Sequence, residues 1–182
     1  MTSGTRAGRR SHTVVDSPLG PLTLVAADAA LAGLYLSQQR NRPPPEAFGG
    51  PADDPGGAPF ADVSGQLREY FDGERTAFNL RLALHGTAFQ WRVWAALRAI
   101  PYGQTASYGQ LAARIGQPSA SRAVGLANGK NPVAIVVPCH RVVGADGALT
   151  GYGGGIDRKR YLLAHERRVS GQTLAFSGQT LA

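Results

Sequence analysis

A single cysteine, Cys139, is the feature that most constrains how this 182-residue chain can fold. One thiol forms no internal disulfide, and it cannot by itself build a thiolate zinc site. The fold must therefore rest on a buried apolar core, and we predict that it holds no metal and no cofactor. The composition, 43% hydrophobic and 17% charged, is typical of globular proteins. Cys139 is then either a buried structural thiol or a reactive one.

Positive charge is concentrated in the second half of the chain. Residues 1–84 carry 8 Lys or Arg against 9 Asp or Glu, and residues 85–182 carry 11 against 3, so the net charges are −1 and +8. A basic half beside a neutral half indicates a polyanionic partner, with nucleic acid first among the candidates. Charge spread over the surface for solubility would give the same count.

No stretch approaches the roughly 18 consecutive apolar residues of a membrane span. The basic segment 1–10 is not followed by the apolar core of a secretory signal. We therefore expect a cytoplasmic protein that has no membrane partner.

The first half, residues 1–84, predicts a small domain of strands and one helix. The predicted strands cover 14–24, with a turn at 17–21, then 31–36 and 78–84, and the predicted helix covers 63–71. A Pro- and Gly-rich segment, 41–59, is expected to be a loop or linker.

The second half, residues 85–168, predicts a mostly helical domain. Thr87 is a suitable N-cap with Gln90 as its capping-box partner, and an apolar stripe at helical spacing follows. The other predicted elements are helices over 108–115, 120–128 and 156–166 and a strand over 134–137. The pair 108–115 and 120–128, joined by a Gly-containing turn, has the outline of a helix-turn-helix. We expect 169–182 to be a disordered tail.

The pair Cys139 and His140 suggests nucleophilic chemistry. A free thiol is only slightly ionised near neutrality, and an imidazole can accept its proton. Adjacent side chains on a strand point to opposite faces, but Pro138 interrupts the strand here, so a bridging water could link thiol and ring. Glu166 is a candidate to orient the ring. A carboxylate at a solvated helix end, where the helix dipole disfavours it, is the alternative for Glu166, as a structural role is for the Cys-His pair.

Four segments together resemble the alkylguanine-DNA alkyltransferases, the methylated-DNA–protein-cysteine methyltransferases. They are Asn131-Pro132, the run IVVPCHRVV over 135–143, GYGGG over 151–155 and LLAHE over 162–166. The resemblance extends upstream through 87–115 and 121–125 and loosely to 17–21, so it covers about residues 12–168. It implies an α+β fold: a small ribonuclease-H-like N-terminal α/β domain, then a mostly helical C-terminal domain with the helix-turn-helix and the active-site cysteine.

The resemblance also implies roles for individual residues. Cys139 would accept the alkyl group, His140 would act through a water as its base, and Glu166 would orient His140. Asn131 would brace the active-site turn, and Tyr108 would crowd the DNA backbone and donate a proton to the flipped base. Arg122 would enter the duplex as a finger that fills the space left by that base. The further DNA-binding candidates are Ser107, Ser121, Ala123, Gly125 and Arg141. The substrate-pocket candidates are Val142, Tyr152, Gly153, Gly154 and Lys159, of which Lys159 would stabilise the leaving guanine or its surroundings.

The implied partner is double-stranded DNA that contains an alkylated guanine and is bound in its minor groove by a monomer. Because the reacting atom lies inside the base stack, the base must be flipped out to be reached. A thioether is a poor leaving group toward water and no second thiol is present, so each molecule would react once. Gly153 would remove a side-chain contact to the base and widen tolerance for alkyl groups. A Cys-His-Glu hydrolase and a non-catalytic helix-turn-helix protein remain the alternatives. Activity on alkylated thymine and cooperativity on DNA stay open.

Overall fold

The computed structural model describes residues 8–171, and its N-terminal part is built on a four-stranded sheet. The sheet contains β1 (Arg10–Val15), β2 (Leu22–Ala27), β3 (Ala30–Leu36) and the short β4 (Gly50–Pro51). Strand β2 pairs antiparallel with both β1 and β3, and β4 runs parallel to β1. The predicted turn at 17–21 separates β1 from β2, so the run 14–24 belongs to two strands and not to the single predicted strand. Ser17 Oγ accepts from the Leu19 amide and donates to the Gly20 carbonyl, and Gly20 adopts a φ of 90°.

One helix, α1 (Phe60–Asp72), packs on this sheet. Its apolar residues Phe60, Val63, Leu67 and Tyr70 recur at three- and four-residue spacing and are all buried, as expected for an amphipathic helix. Gly73 ends it in the left-handed conformation with a φ of 81°, where its amide donates to the last carbonyls, a common helix stop.

The C-terminal part is mostly helical. It contains α2 (Ala88–Arg98), the two-residue strand β5 (Ala106–Ser107), α3 (Tyr108–Arg114), α4 (Ser121–Gly129), the strand β6 (Val142–Val143) and α5 (Ile156–Val169). Thr87 and Gln90 form the predicted capping box. Helices α3 and α4 pack against each other and against α2, which is the helix-turn-helix arrangement. The predicted α+β class is therefore confirmed.

Three predicted elements were wrong in kind or extent. The run 134–137 is not a strand but a turn in which Ile135 has a φ of 70° and the Val137 amide donates to the Val133 carbonyl. The segment 78–84 lies beside β3 but forms only one isolated bridge, between Leu31 and Leu82. The loop 41–59 contains β4 and a short 3-10 helix, Pro45–Phe48, which is held by Phe48 stacking on Tyr35. The predicted tail lies largely outside the described residues, although α5 continues three residues past Glu166.

Strand β3 and the segment after it hold the two parts of the chain together. The Leu34 amide donates to the Pro132 carbonyl at 2.9 Å, and the Ala134 amide donates to the Leu34 carbonyl at 3.1 Å. Further on, the Arg40 amide donates to the Gly153 carbonyl at 2.8 Å. One apolar core runs through both parts. The sheet edge therefore supports the two loops on either side of Cys139.

None of the helices within residues 8–171 is long and apolar enough to cross a bilayer.

Candidate active site

Cys139 begins a short 3-10 turn, residues 139–141, that follows the tight turn at 133–137. Asn131 holds the preceding turn from within: its Nδ2 donates to the Val137 carbonyl at 2.7 Å, and its Oδ1 accepts from the Val133 amide at 3.0 Å. A side chain that supplies both bonds replaces the partner that a strand would need. This explains why the β-branched run is not a strand, and it gives Asn131 the bracing position that the resemblance implied.

The carboxylate of Glu166 is completely buried and accepts five hydrogen bonds. Its Oε1 accepts from His140 Nε2 at 2.7 Å, from the Tyr70 hydroxyl at 2.8 Å and from Arg141 at 3.0 Å. Its Oε2 accepts from Arg141 Nε at 2.9 Å and from the Gly103 amide at 3.1 Å. Burial alone would raise the pKa of Glu166, but the bonds and charges of His140 and Arg141 lower it well below its ordinary value. Glu166 is therefore an ionised carboxylate in the protein interior and not a solvated helix end.

This carboxylate fixes the protonation of His140. An ionised carboxylate can only accept, so Nε2 carries the proton and Nδ1 carries the lone pair. Burial lowers the pKa of His140 despite the opposing effect of Glu166, so the ring is neutral near pH 7. Nδ1 is buried and has no hydrogen-bond partner. The ring thus presents a free basic nitrogen within the interior.

Cys139 is 7% exposed, and burial raises the pKa of its thiol. A hydrogen bond with Asn131 and the charge of Lys159 act in the opposite direction but do not cancel the effect of burial. At neutral pH the thiol is protonated, so it needs a base before it can attack. His140 is the neighbouring base.

A small cavity lies against Cys139. The residues that line it are Gln39, Asn128, Gly129, Asn131, Ala134, Gly151, Tyr152, Gly153 and Gly154. The cavity volume is about 10 Å³, room for about one water molecule.

Two glycines of the loop 151–154 lie close to other groups. A Cβ on Gly151 would lie 2.7 Å from the Tyr108 hydroxyl oxygen, and Gly151 has a φ of 62°. A Cβ on Gly153 would lie 3.3 Å from the Arg40 carbonyl oxygen and 3.5 Å from Gln39 Cγ. The main chain of Gly153 lines the cavity, but a side chain there would point to the N-terminal part. Gln39 also lines the cavity, so the effect of Gly153 on contacts with the base stays a prediction.

Lys159 braces the loops around the cavity from below. Its side chain is fully buried, and Nζ donates to the carbonyls of Val142 and Thr150, the latter at 2.7 Å. Burial lowers the pKa of Lys159 to about 8. Val142 contributes this carbonyl to the site, while its side chain belongs to the core. The structure thus places Lys159 on the surroundings of the cavity.

The surface of α4 carries the predicted DNA finger. Arg122 is exposed, Ala123 is exposed, and Ser121 and Gly125 are half-buried. Gly125 brings α4 close to Tyr108, because a Cβ at Gly125 would lie 3.6 Å from that ring. Sequence reasoning missed Leu126, which is 67% exposed. It lies one turn after Arg122 on the same face, a spacing that would have indicated it.

Two other predicted DNA contacts have structural roles. The guanidinium of Arg141 is buried between Glu166 and the Ile100 carbonyl, which accepts from it at 2.7 Å. A direct contact of Arg141 with DNA is therefore a wrong prediction, because a buried ion pair leaves no charge at the surface. Ser107 is the N-cap of α3: its Oγ accepts from the Gln110 amide at 3.1 Å. Tyr108, the next residue, is half-buried, and its hydroxyl lies 3.4 Å from the Thr150 carbonyl oxygen.

A helix-turn-helix with an exposed arginine beside a buried Cys-His-Glu site is the arrangement of a DNA-binding protein that carries a thiol nucleophile. Two family models match this chain. They are the ribonuclease-like domain of 6-O-methylguanine DNA methyltransferase, over residues 11–84, and its DNA-binding domain, over residues 88–168. The chain belongs to the 6-O-methylguanine DNA methyltransferase family, and the prediction of that family is confirmed.

Individual relatives agree with this assignment. A methylated-DNA–protein-cysteine methyltransferase of Mycolicibacterium paratuberculosis is 54% identical over 90% of this chain and 96% of its own length. One of Methanosarcina acetivorans is 45% identical over 85% of this chain and 97% of its own length. Among solved structures, Mycobacterium tuberculosis OGT in complex with DNA is similar with a TM-score of 0.81 and 52% identity, over 87% of this chain and 94% of that one.

Proposed function

We propose that this protein repairs DNA by moving the alkyl group of an O6-alkylated guanine onto Cys139, irreversibly and once per molecule. The observation that carries the proposal is the state of His140. Glu166 holds its Nε2–H and its Nδ1 has no partner, while Cys139, the preceding residue, carries a protonated thiol and lines a cavity. Membership of the family and the DNA-bound relative support it.

The reaction is a displacement at a saturated carbon. The thiol proton passes to Nδ1 of His140, through a water in the cavity, while the sulfur–carbon bond forms and the carbon–oxygen bond of the lesion breaks. Tyr108 protonates the departing guanine, and the proton held by His140 then returns to Tyr108. Burial raises the pKa of Tyr108, so its hydroxyl is protonated at neutral pH. No net proton is gained or lost, and Cys139 ends as a thioether.

The buried Glu166 favours the transfer of the thiol proton to His140. As Nδ1 takes up the proton, the ring becomes a cation between a carboxylate and the guanidinium of Arg141. The carboxylate stabilises the cation and keeps the ring in one tautomer, as an orienting acid does in other triads. Glu166 is thus a positioning residue for His140.

Access to the lesion requires base flipping. We propose that α4 lies in the minor groove, with Arg122 filling the stack that the flipped base leaves, as inserted side chains do in other minor-groove proteins. Ser121, Ala123 and Gly125 would let α4 approach the backbone, and Leu126 would add an apolar contact beside the finger. The proposed unit on DNA is a monomer, and the proposed compartment is the cytoplasm.

The finger can be tested apart from the chemistry. Arg122→Ala should slow transfer from a methylated duplex about 10- to 100-fold, because the cost of unstacking is no longer compensated. Transfer from free O6-benzylguanine should be unchanged, since that substrate needs no flipping. Both rates are measured by quenched-flow detection of modified protein. Arg114→Ala, on the neighbouring helix α3, is the matched loss of charge. Equal losses on duplex and free base would remove the finger role.

A further inference from the structure

Asn128 is a buried polar side chain that neither the chemistry nor the finger uses. It lies in the last turn of α4, is 2% exposed and lines the cavity together with Cys139. Its Nδ2 donates to the Cys139 carbonyl at 3.5 Å, and its Oδ1 has no hydrogen-bond partner. Because a carbonyl can only accept, this contact assigns the nitrogen to the Cys139 side and leaves the oxygen as the partnerless atom.

Two hydrogen-bond donors near Asn128 in the chain already have other acceptors. Trp94 Nε1 donates to the Ala127 carbonyl at 3.0 Å, and Asn131 Nδ2 donates to the Val137 carbonyl. A buried acceptor without a donor costs free energy in the folded protein, and such an atom calls for an explanation. An acceptor beside the nucleophile is explained if the substrate brings the donor.

The chemistry of the two kinds of O-alkylated base decides which substrate can do so. An O6-alkylguanine in DNA has acceptors at O6, N1, N3 and N7, and its one donor group is the exocyclic 2-amino group. An O4-alkylthymine has acceptors only. A partnerless acceptor in the pocket is therefore satisfied by the guanine lesion and left unsatisfied by the thymine lesion.

We propose that Asn128 Oδ1 accepts a hydrogen bond from the 2-amino group of the flipped guanine, which makes Asn128 a specificity-determining residue. This inference rests on the proposed function. It predicts that the protein prefers alkylated guanine to alkylated thymine through one side chain, because a site built to bond a polar group discriminates strongly against an analogue that lacks it.

The test compares two methylated bases that differ only in that amino group. Wild-type protein and Asn128→Leu, which has a similar volume, are each given duplexes with O6-methylguanine or O6-methylhypoxanthine, and the transfer rates are measured. Wild type should favour methylguanine about tenfold, and Asn128→Leu should react with both bases at equal rates. A duplex with O4-methylthymine should behave like the methylhypoxanthine duplex.

Each other outcome overturns the inference. If Asn128→Leu slows both substrates equally, Asn128 serves only to brace the Cys139 carbonyl. If wild type does not discriminate between the bases, the amino group is not recognised. Should the leucine variant unfold, Asn128→Ala gives the same ratio of rates. If the wild-type protein transfers methyl from none of the duplexes, the proposed function is contradicted. This outcome differs from every outcome that contradicts only the role of Asn128.

Discussion

The two nitrogens of His140 face two regions that treat polar atoms in opposite ways. On the Nε2 side, the Glu166 carboxylate accepts five hydrogen bonds from four residues. Four buried side-chain atoms in the described part of the chain have no partner. Asn128 Oδ1 and the Tyr152 hydroxyl belong to residues that line the cavity, and the other two are His140 Nδ1 and the Tyr102 hydroxyl, whose ring packs against the Arg141 guanidinium. The Glu166 carboxylate is therefore satisfied without a ligand, whereas the residues that line the cavity offer hydrogen bonds that only water or a substrate can make.

This difference indicates how the site divides its work. The Glu166 cluster is a fixed support whose stability comes from contacts within the chain. The polar atoms of the residues that line the cavity lack such contacts, so they can form hydrogen bonds with a substrate. Changes in the first region should therefore lower stability as well as rate, whereas changes in the second should act mainly on rate.

The largest effect on stability is expected from Glu166→Ala. It leaves the Arg141 guanidinium buried without its carboxylate, and breaking a buried pair in this way costs about 3–5 kcal/mol of unfolding free energy. Urea unfolding at pH 7 measures it. Glu69→Ala is the matched control, because Glu69 pairs with Arg75 in a half-exposed position, and such pairs contribute about 0–1 kcal/mol. Equal small losses in both variants would contradict the idea of a supporting cluster.

The titration of Glu166 should make the free energy of unfolding depend on pH. The folded-state pKa of Glu166 lies below its ordinary value of 4.5, so the unfolded chain binds more protons in the interval between the two. Its stabilising contribution is thus fully present above about pH 4.5 and is lost as the pH falls toward the folded-state pKa. Urea midpoints between pH 6 and pH 3 should fall more steeply for wild type than for Glu166→Gln. Parallel curves would show that Glu166 does not titrate in this way.

The smallest effects come from a pair of tyrosines, and they separate the two regions most cleanly. Tyr70→Phe removes a bond to the Glu166 carboxylate and should cost about 1.5–3 kcal/mol, the range for bonds to charged groups. Tyr152→Phe removes a hydroxyl that has no partner and should leave the unfolding free energy unchanged or raised. Chemical denaturation of both variants gives the comparison. A larger loss for Tyr152→Phe than for Tyr70→Phe would reverse it.

Local patterns in the sequence predicted the helices well but not the contacts that define the site. The capping box at Thr87 and the stop of α1 at Gly73 depend on neighbouring residues, so they are visible in the sequence. The sequence alone allows two interpretations of Glu166, because its donors Tyr70 and Gly103 lie 96 and 63 residues away. The resemblance to the family, and not the local pattern, favoured its role as the orienting acid.

The predicted surface position of Arg141 and the predicted strand over 134–137 differ from the structure for related reasons. A charged residue is normally exposed, and only the distant Glu166 explains why Arg141 is buried. The apolar, β-branched run 134–137 is typical of a strand, but the Asn131 side chain takes its hydrogen bonds and folds it into a turn. Asn128 carried no signal, since its meaning depends on a cavity that forms only in three dimensions.

The central claim is that Cys139 keeps the alkyl group, and the mass of the protein tests it most directly. Purified protein is incubated with a duplex that contains O6-methylguanine, and its intact mass and peptide map are then taken. We expect a gain of one methyl group per molecule, on the peptide that contains Cys139, and no gain for Cys139→Ser. Loss of the lesion with an unmodified protein would contradict the account and indicate a hydrolytic catalyst, and an intact lesion with an unmodified protein would indicate a protein that only binds DNA.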